Sequence, residues 1–126
     1  MKSLNEIVEE LAKNPIINDM SKKYKNEVAI SGLIIRKPKF FKHDTTGKES
    51  SSVVLYQIVQ DTNQTSVYSY SVMIYIPELI EQLKTLDRVC LVAIVGAIHY
   101  SKKINGLFIK VKEMHTLIEF ENELAE

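Results

Sequence analysis

The 126-residue sequence has a single cysteine, no long apolar run and no signal-peptide pattern, and each of these features excludes a class of protein. One cysteine, Cys90, cannot form a disulfide within the chain, and its apolar surroundings VCLVAIVG predict a buried, unreactive thiol. No apolar run approaches the roughly 18 residues of a membrane span. The first ten residues are polar, where a signal peptide would be basic and then apolar. We therefore expect a cytoplasmic protein of one domain, without a membrane partner.

Motifs for catalysis and for metal binding are also missing. The three histidines, His43, His99 and His115, lie far apart, and no cysteine or carboxylate pair completes a recognisable metal site. The sequence contains no GxGxxG, no phosphate-binding GKS or GKT, and no GxSxG. We therefore predict no catalytic residue, no metal and no cofactor.

Charge is balanced over the whole chain but segregated along it. Sixteen Lys and Arg face sixteen Asp and Glu. Segment 22–48 nevertheless carries eight basic residues against two acids, and segment 102–112 has no acid but four lysines: Lys102, Lys103, Lys110 and Lys112. Segment 113–126 has five acids and no base. Because local potential decides which partner a face attracts, the function depends on whether the two basic segments meet in the fold.

The hydrophobic pattern predicts a helix, three strands, a helix and two strands. A capping box, Ser3-Leu4-Asn5-Glu6, starts the first helix, and Asn14-Pro15 ends it before a polar linker at 21–25. Predicted strands cover 27–37, broken at Pro38 with a short continuation at 40–41, then 53–60 and 66–76. A short helix over 77–86 and strands over 88–100 and 107–113 follow, with Gly96 at a bend or bulge. This order is that of an OB-fold, a small barrel whose strands and loops bind oligonucleotides.

One aromatic ring and two lysines share a face of the last predicted strand. Side chains alternate across a strand, so Phe108, Lys110 and Lys112 face one way and the apolar residues between them face the core. The same alternation in 66–76 turns Tyr75 outward and Tyr70 inward. The outward residues form either an ordinary solvated face or a surface for nucleic acid.

A second group of cations surrounds two phenylalanines after the first strand. Its members are Arg36, Lys37, Lys39, Phe40, Phe41 and Lys42. A single-stranded nucleic acid needs cations along its phosphates and aromatic faces for its bases, and this group supplies both. Because neighbours on an extended chain face opposite ways, we expect one of the two phenylalanines to anchor the loop to the core.

Several stretches together resemble the bacterial single-stranded DNA-binding proteins, over residues 26 to about 120. NEVAISGLIIRKP resembles that family's opening strand, and Gly47 falls at its loop glycine. From Tyr75 to Gly96 the match has no gap: Tyr75 takes the aromatic position that ends strand three, PELIEQLKTLDRV the short helix, and VAIVGAIHY the fourth strand.

The resemblance implies an all-β, five-stranded OB-fold with a short helix between strands 3 and 4, here with an extra N-terminal helix. It implies a non-catalytic protein that binds single-stranded DNA in replication, repair or recombination. Tyr75 then resembles a base-stacking aromatic, and the basic residues from Arg36 to Lys42 resemble phosphate contacts. Where the family has a further aromatic this chain has Lys103, with Tyr100 nearby.

The chain also differs from the family at both ends. It lacks the family's long acidic tail, so we predict three parts: a helix and linker over 1–25, an OB-fold over 26–120 and a short acidic tail over 121–126. The apolar stripe of the first helix predicts a docking element: Leu4, Ile7, Val8 and Leu11. Its partner would be a polymerase, primase or helicase served by this chain as accessory subunit, a second copy, or the chain's own barrel. The alternative function is an OB domain that binds only proteins.

Overall fold

A computed structural model describes residues 1–17, 19 and 27–126. Its main elements are α1 (Leu4–Ala12), β1 (Glu27–Ile34), β2 (Lys39–Lys42), β3 (Glu49–Asp61), β4 (Gln64–Ile74), α2 (Pro77–Lys84), β5 (Arg88–Ser101) and β6 (Gly106–Glu123). The predicted linker at 21–25, and with it the boundary between residues 25 and 26, lies outside the described residues.

The strands close into a barrel. Their order is β1-β5-β6-β4-β3-β2, and β1 also pairs with β3. Because β2 continues β1 after the break at Pro38, the six segments amount to five strands whose first and last neighbours meet. β4 and β6 pair in parallel, at Val72 with Ile109 and Met73 with Lys110. The predicted five-stranded OB-fold, with a helix between its third and fourth strands and an extra N-terminal helix, is confirmed.

The core lies inside the barrel and is closed at one end by α2. Alternate residues of the strands fill the interior: Ile34, Val53, Leu55, Val72, Ile74, Val92, Ile94, Ile109 and Val111. Pro77 starts α2, and its buried stripe of Leu79, Ile80 and Leu83 joins this core. Since α2 connects the end of β4 to the start of β5, it covers that end of the barrel. Cys90 is buried as predicted, and burial raises the pKa of its thiol.

Gly96 marks a bulge, as the sequence predicts. The register of β5 against β6 shifts between Val95 and Gly96. A Cβ at position 96 would lie 2.4 Å from the carbonyl oxygen of Lys110, so the two strands approach too closely for any side chain there. The bulge therefore fixes the position of the β6 backbone at Lys110.

The end of the chain is more ordered than the predicted strand over 107–113. β6 continues to Glu123 because it pairs along the full length of β5, as far as Arg88 opposite Glu123. Leu124 is buried, and Ala125 exchanges two 2.8 Å backbone hydrogen bonds with Ile35 and Lys37. β1 accordingly ends at Ile34, not at Lys37. Segment 121–126, predicted as a tail, thus forms the end of β6 and a seam against the break between β1 and β2.

α1 has the predicted start, and its residues are exposed. The Ser3 hydroxyl accepts a hydrogen bond from the Glu6 N–H at 3.2 Å, as in a capping box. Every residue of α1 is exposed, including the predicted stripe of Leu4, Ile7, Val8 and Leu11. Within the described parts of the chain, no helix is both long and apolar enough to cross a membrane.

Candidate nucleic-acid interface

A groove of about 560 Å³ runs over the outer face of the barrel. We call it the groove; it is lined by Phe41, Ser50, Ser52, Ser71, Met73, Tyr75, Ser101, Lys103, Ile104 and Phe108. The strand register explains why these residues meet, because side chains directly opposite each other share a face. Phe41 lies opposite Ser50, and Ser52 opposite Met73. The small serine side chains leave a depression between the larger rings.

Three aromatic rings border the groove, and two of them have ring or cation contacts. Phe41 and Tyr75 are about half exposed, and Phe108 is half-buried. Phe108 stacks on His99 with ring centroids 5.5 Å apart and an interplanar angle of 22°. The Lys110 ammonium lies 5.2 Å from the Tyr75 ring centroid, a cation–π distance. These contacts hold Phe108 and Tyr75 in position while both still line the groove.

Four lysines lie on or beside the groove. Lys39 is on the same side of β2 as Phe41, Lys103 lines the groove, and Lys110 contacts Tyr75. Lys102 precedes Lys103 in the exposed hairpin loop. In the described part of the chain, no salt bridge to an acid occupies any of these four ammonium groups. Both basic segments of the sequence therefore contribute to one face.

Other predicted cations lie elsewhere or are paired. Lys112 forms a 2.7 Å salt bridge with Glu27 and lines an adjoining hollow with His99 and Lys110. Lys37 forms a 3.0 Å salt bridge with Glu126. Arg36 bridges to Ala125, so Arg36 and Lys37 lie at the barrel seam. The structure does not bring these two residues to the groove.

Three further predicted residues face away from the groove. Phe40 and Lys42 alternate with Phe41 and lie on the reverse side of β2. Tyr100 pairs with Leu107, on the side opposite Phe108, and donates its hydroxyl to Asn105 Oδ1. Tyr100 therefore does not line the groove.

The sequence predicts that Tyr70 packs inward, but the residue is less buried than this prediction requires. Its side chain is on the same side of β4 as Val72, but 37% of the residue is exposed. Its hydroxyl donates to Gln57 Oε1 at 3.1 Å. The β3–β4 hairpin extends beyond the end of the core, so residues in its outer part are exposed on both faces.

Several residues of the interface could not be found by composition. Met73, Ser50, Ser52 and Ser71 are uncharged, and neither they nor His99 stand next to a lysine in the sequence. Their position follows from pairing: His99 lies opposite Phe108 only because the β5–β6 hairpin turns at Ser101 and Gly106. The described residues include no group of three His, Cys, Asp or Glu side chains placed to hold a metal ion.

Solved structures show what this fold is similar to. Rim1, the mitochondrial single-stranded DNA-binding protein of S. cerevisiae, superposes with a TM-score of 0.63 at 14% identity, covering 78% of this chain and 99% of that one. The small single-stranded DNA-binding protein of Streptomyces coelicolor gives a TM-score of 0.58 at 11% identity, with 75% and 95% covered. SSBb of Mycobacterium smegmatis gives 0.58 at 12% identity, with 74% and 89% covered.

No protein-family model and no curated protein matches the sequence. The likeness is therefore one of architecture, at identities between 11% and 14% for these three structures. It extends over 89% to 99% of the length of each of them. The chain has the OB-fold of these single-stranded DNA-binding proteins.

Proposed function

We propose that this protein binds single-stranded DNA in the groove and catalyses no reaction. The observation that carries the proposal is the arrangement of three rings and four lysines on one face of the barrel: Phe41, Tyr75, Phe108, Lys39, Lys102, Lys103 and Lys110. The solved single-stranded DNA-binding proteins of the same fold support it.

The chemistry of the groove suits an unpaired strand better than a duplex. Bases of a single strand expose their faces, and each stack on an aromatic ring contributes about 1 to 3 kcal/mol. In a duplex the same faces are stacked on neighbouring bases and cannot reach Phe41, Tyr75 or Phe108. The lysines contact phosphates without reading bases, so binding would show little sequence preference.

An anisotropy titration tests the proposal. Labelled single-stranded and duplex oligonucleotides of one sequence are titrated with protein at several salt concentrations. If about four phosphates are neutralised, log K falls with log salt at a slope of about −3 for single strands. We expect tighter binding of the single strand than of the duplex. Equal affinity for both, or affinity independent of salt, would contradict the proposal.

We further propose a role in DNA replication, repair or recombination, as an accessory subunit that presents template to a polymerase, primase or helicase. The exposed stripe of α1 supports this role, because an amphipathic helix of this kind docks into an apolar groove of a partner. Substitution of Ile7→Asp in the full chain should abolish co-purification with such an enzyme, whereas Asn5→Asp on the polar side of the same helix should not.

The alternative, an OB domain that binds only proteins, is favoured by the same exposed stripe. The two functions differ in the use of the groove lysines. A purely protein-binding domain would show no salt-dependent oligonucleotide binding, and Lys103→Ala would change nothing in the titration.

A further inference from the structure

The end of the barrel away from α2 is open and apolar. It contains a cleft of about 400 Å³, which we call the cleft, lined by Val28, Ile30, Ser69, Tyr70, Ser71, Ile98, Leu107, Phe108 and Ile109. None of these lining residues is charged. The parallel pairing of β4 with β6 covers only two residue pairs, so the two strands separate beyond it and expose the cleft.

A helix packs against one end of the barrel and not against the other, within the described part of the chain. At one end α2 inserts Leu79, Ile80 and Leu83 into the core. In the described part of the chain, no helix contributes buried residues at the cleft end. α1 presents the same kind of stripe at helical spacing, and none of its residues is buried. The described part of the chain thus contains one barrel end that no helix caps and one amphipathic helix whose apolar stripe is exposed.

A second uncovered apolar surface competes for the helix, and charge distinguishes the two. The outer face of β1, β5 and β6 aligns Leu33, Leu91 and Ile118. β6 places Glu113 on that face, opposite Val95, and α1 itself carries Glu6, Glu9 and Glu10. Like charges would oppose docking of α1 there. Beside the cleft, one residue pair beyond Leu107, the hairpin loop carries Lys102 and Lys103 instead.

We infer that α1 of one copy docks in the cleft of a second copy and forms a helix-exchanged dimer. The stripe of Leu4, Ile7, Val8 and Leu11 covers the apolar lining, and the acids of α1 face Lys102 and Lys103. In its own chain α1 is exposed along its whole length.

The cleft and the groove share a wall, which couples the dimer to nucleic-acid binding. Phe108 and Ser71 line both, and Lys103 lines the groove. A docked α1 would contact Phe108 and neutralise the hairpin lysines, so single-stranded DNA and α1 compete. This coupling rests on the proposed function; the dimer itself does not.

Crosslinking between two different chains, each with one introduced cysteine, tests the dimer. A chain with Leu11→Cys is mixed with a differently tagged full chain with Leu107→Cys, and a short bifunctional maleimide is added. Cys90 is fully buried and stays unreactive. The matched control replaces the first chain by Asn5→Cys, which lies on the polar side of the same helix. We expect at least a fivefold higher yield of crosslinked heterodimer with Leu11→Cys than with Asn5→Cys.

Two further measurements complete the test. Ile7→Asp should lower the dimer fraction in sedimentation by at least tenfold, whereas Asn5→Asp, which adds the same charge to the other side, should not. Equal crosslinking from Leu11→Cys and Asn5→Cys would overturn the inference. So would a product confined to single chains when Leu11→Cys and Leu107→Cys are combined in one molecule, because the helix would then cover its own barrel.

Adding an oligonucleotide to the crosslinking experiment distinguishes the proposed DNA binding from the proposed dimer. A saturating single-stranded oligonucleotide should lower the heterodimer yield several-fold. If anisotropy shows binding but the yield is unchanged, the coupling is wrong. If no oligonucleotide binds and the crosslink still forms selectively, the proposed function fails while the helix-exchanged dimer stands.

Discussion

Individual side chains at the groove have roles that the strand register defines. Phe108 lies between the groove and the cleft and is held by the stack on His99. Both strand alternation and the family resemblance identify Tyr75 in the sequence, and its cation–π contact with Lys110 joins two predicted residues. Tyr100, also predicted, faces the reverse side because one residue of alternation separates it from His99.

Removing either groove ring should weaken binding to single-stranded DNA. We expect Tyr75→Ala and Phe108→Ala each to cost about 1 to 3 kcal/mol of binding free energy, the value of one lost base stack. Anisotropy measures the loss. Tyr100→Ala is the matched control and should leave affinity unchanged. Thermal melts of all three variants must show a folded protein; a loss of stability without a loss of affinity would identify the ring as structural.

Cys90 should report unfolding through its thiol. Burial raises its pKa, so the folded state keeps the thiol protonated while an unfolded chain ionises it above about pH 8.5. The stabilising effect is complete below that pH and is lost as the pH rises towards the folded-state pKa. We expect no reaction with a thiol reagent in native buffer and full reaction in denaturant. Rapid native labelling would contradict the burial.

Sequence signals that act within a few residues predict the starts and bends of helices and strands correctly. The sequence does not predict how far two strands pair. The capping residue Ser3, Pro77 at the start of α2 and Gly96 at the bulge all act within a few residues, so the sequence predicts them. The length of β6 depends instead on β5, a partner that begins at Arg88. Nothing in the acidic composition of 113–123 indicates a strand, because all of its side chains except Met114 are exposed and its backbone pairs along β5.

Substitution of Gly96 should displace the β6 backbone that carries Lys110 beside the groove. Gly96→Ala would place a methyl group 2.4 Å from the Lys110 carbonyl oxygen, and overpacking of this kind costs about 1 to 3 kcal/mol of folding free energy. Because the displaced backbone carries Lys110, the oligonucleotide affinity should fall as well. Gly106→Ala is the control, since its nearest neighbour is 3.8 Å away. Denaturant melts and anisotropy on the same samples separate the two effects.

Residues 124–126 close the barrel at the break between β1 and β2. The sequence predicts the barrel and its element order, but it does not predict that segment 124–126 belongs to it. Leu124 is a core residue, and Ala125 bonds to the break between β1 and β2. The basic cluster at 36–42 divides accordingly: Arg36 and Lys37 lie at this seam, while Lys39 and Phe41 lie towards the groove.

Truncation of Leu124 should destabilise the entire barrel. We expect Leu124→Ala to lower the free energy of unfolding by about 2 to 5 kcal/mol, as for other buried leucines. Glu126→Gln, which removes only the exposed salt bridge to Lys37, should have little effect. Urea melts compare the two. A wild-type midpoint for Leu124→Ala would mean that the seam does not contribute to stability.

The seam also bears on how the chain folds. It joins Lys37 to Glu126 across 89 positions, whereas the β3–β4 and β5–β6 hairpins join near neighbours. Contacts between distant positions require more loop closure and slow the search for the native state. We expect the two hairpins to form early and the seam to form last, after the final residues are available. A chain truncated after residue 120 should therefore form both hairpins and leave the barrel unsealed.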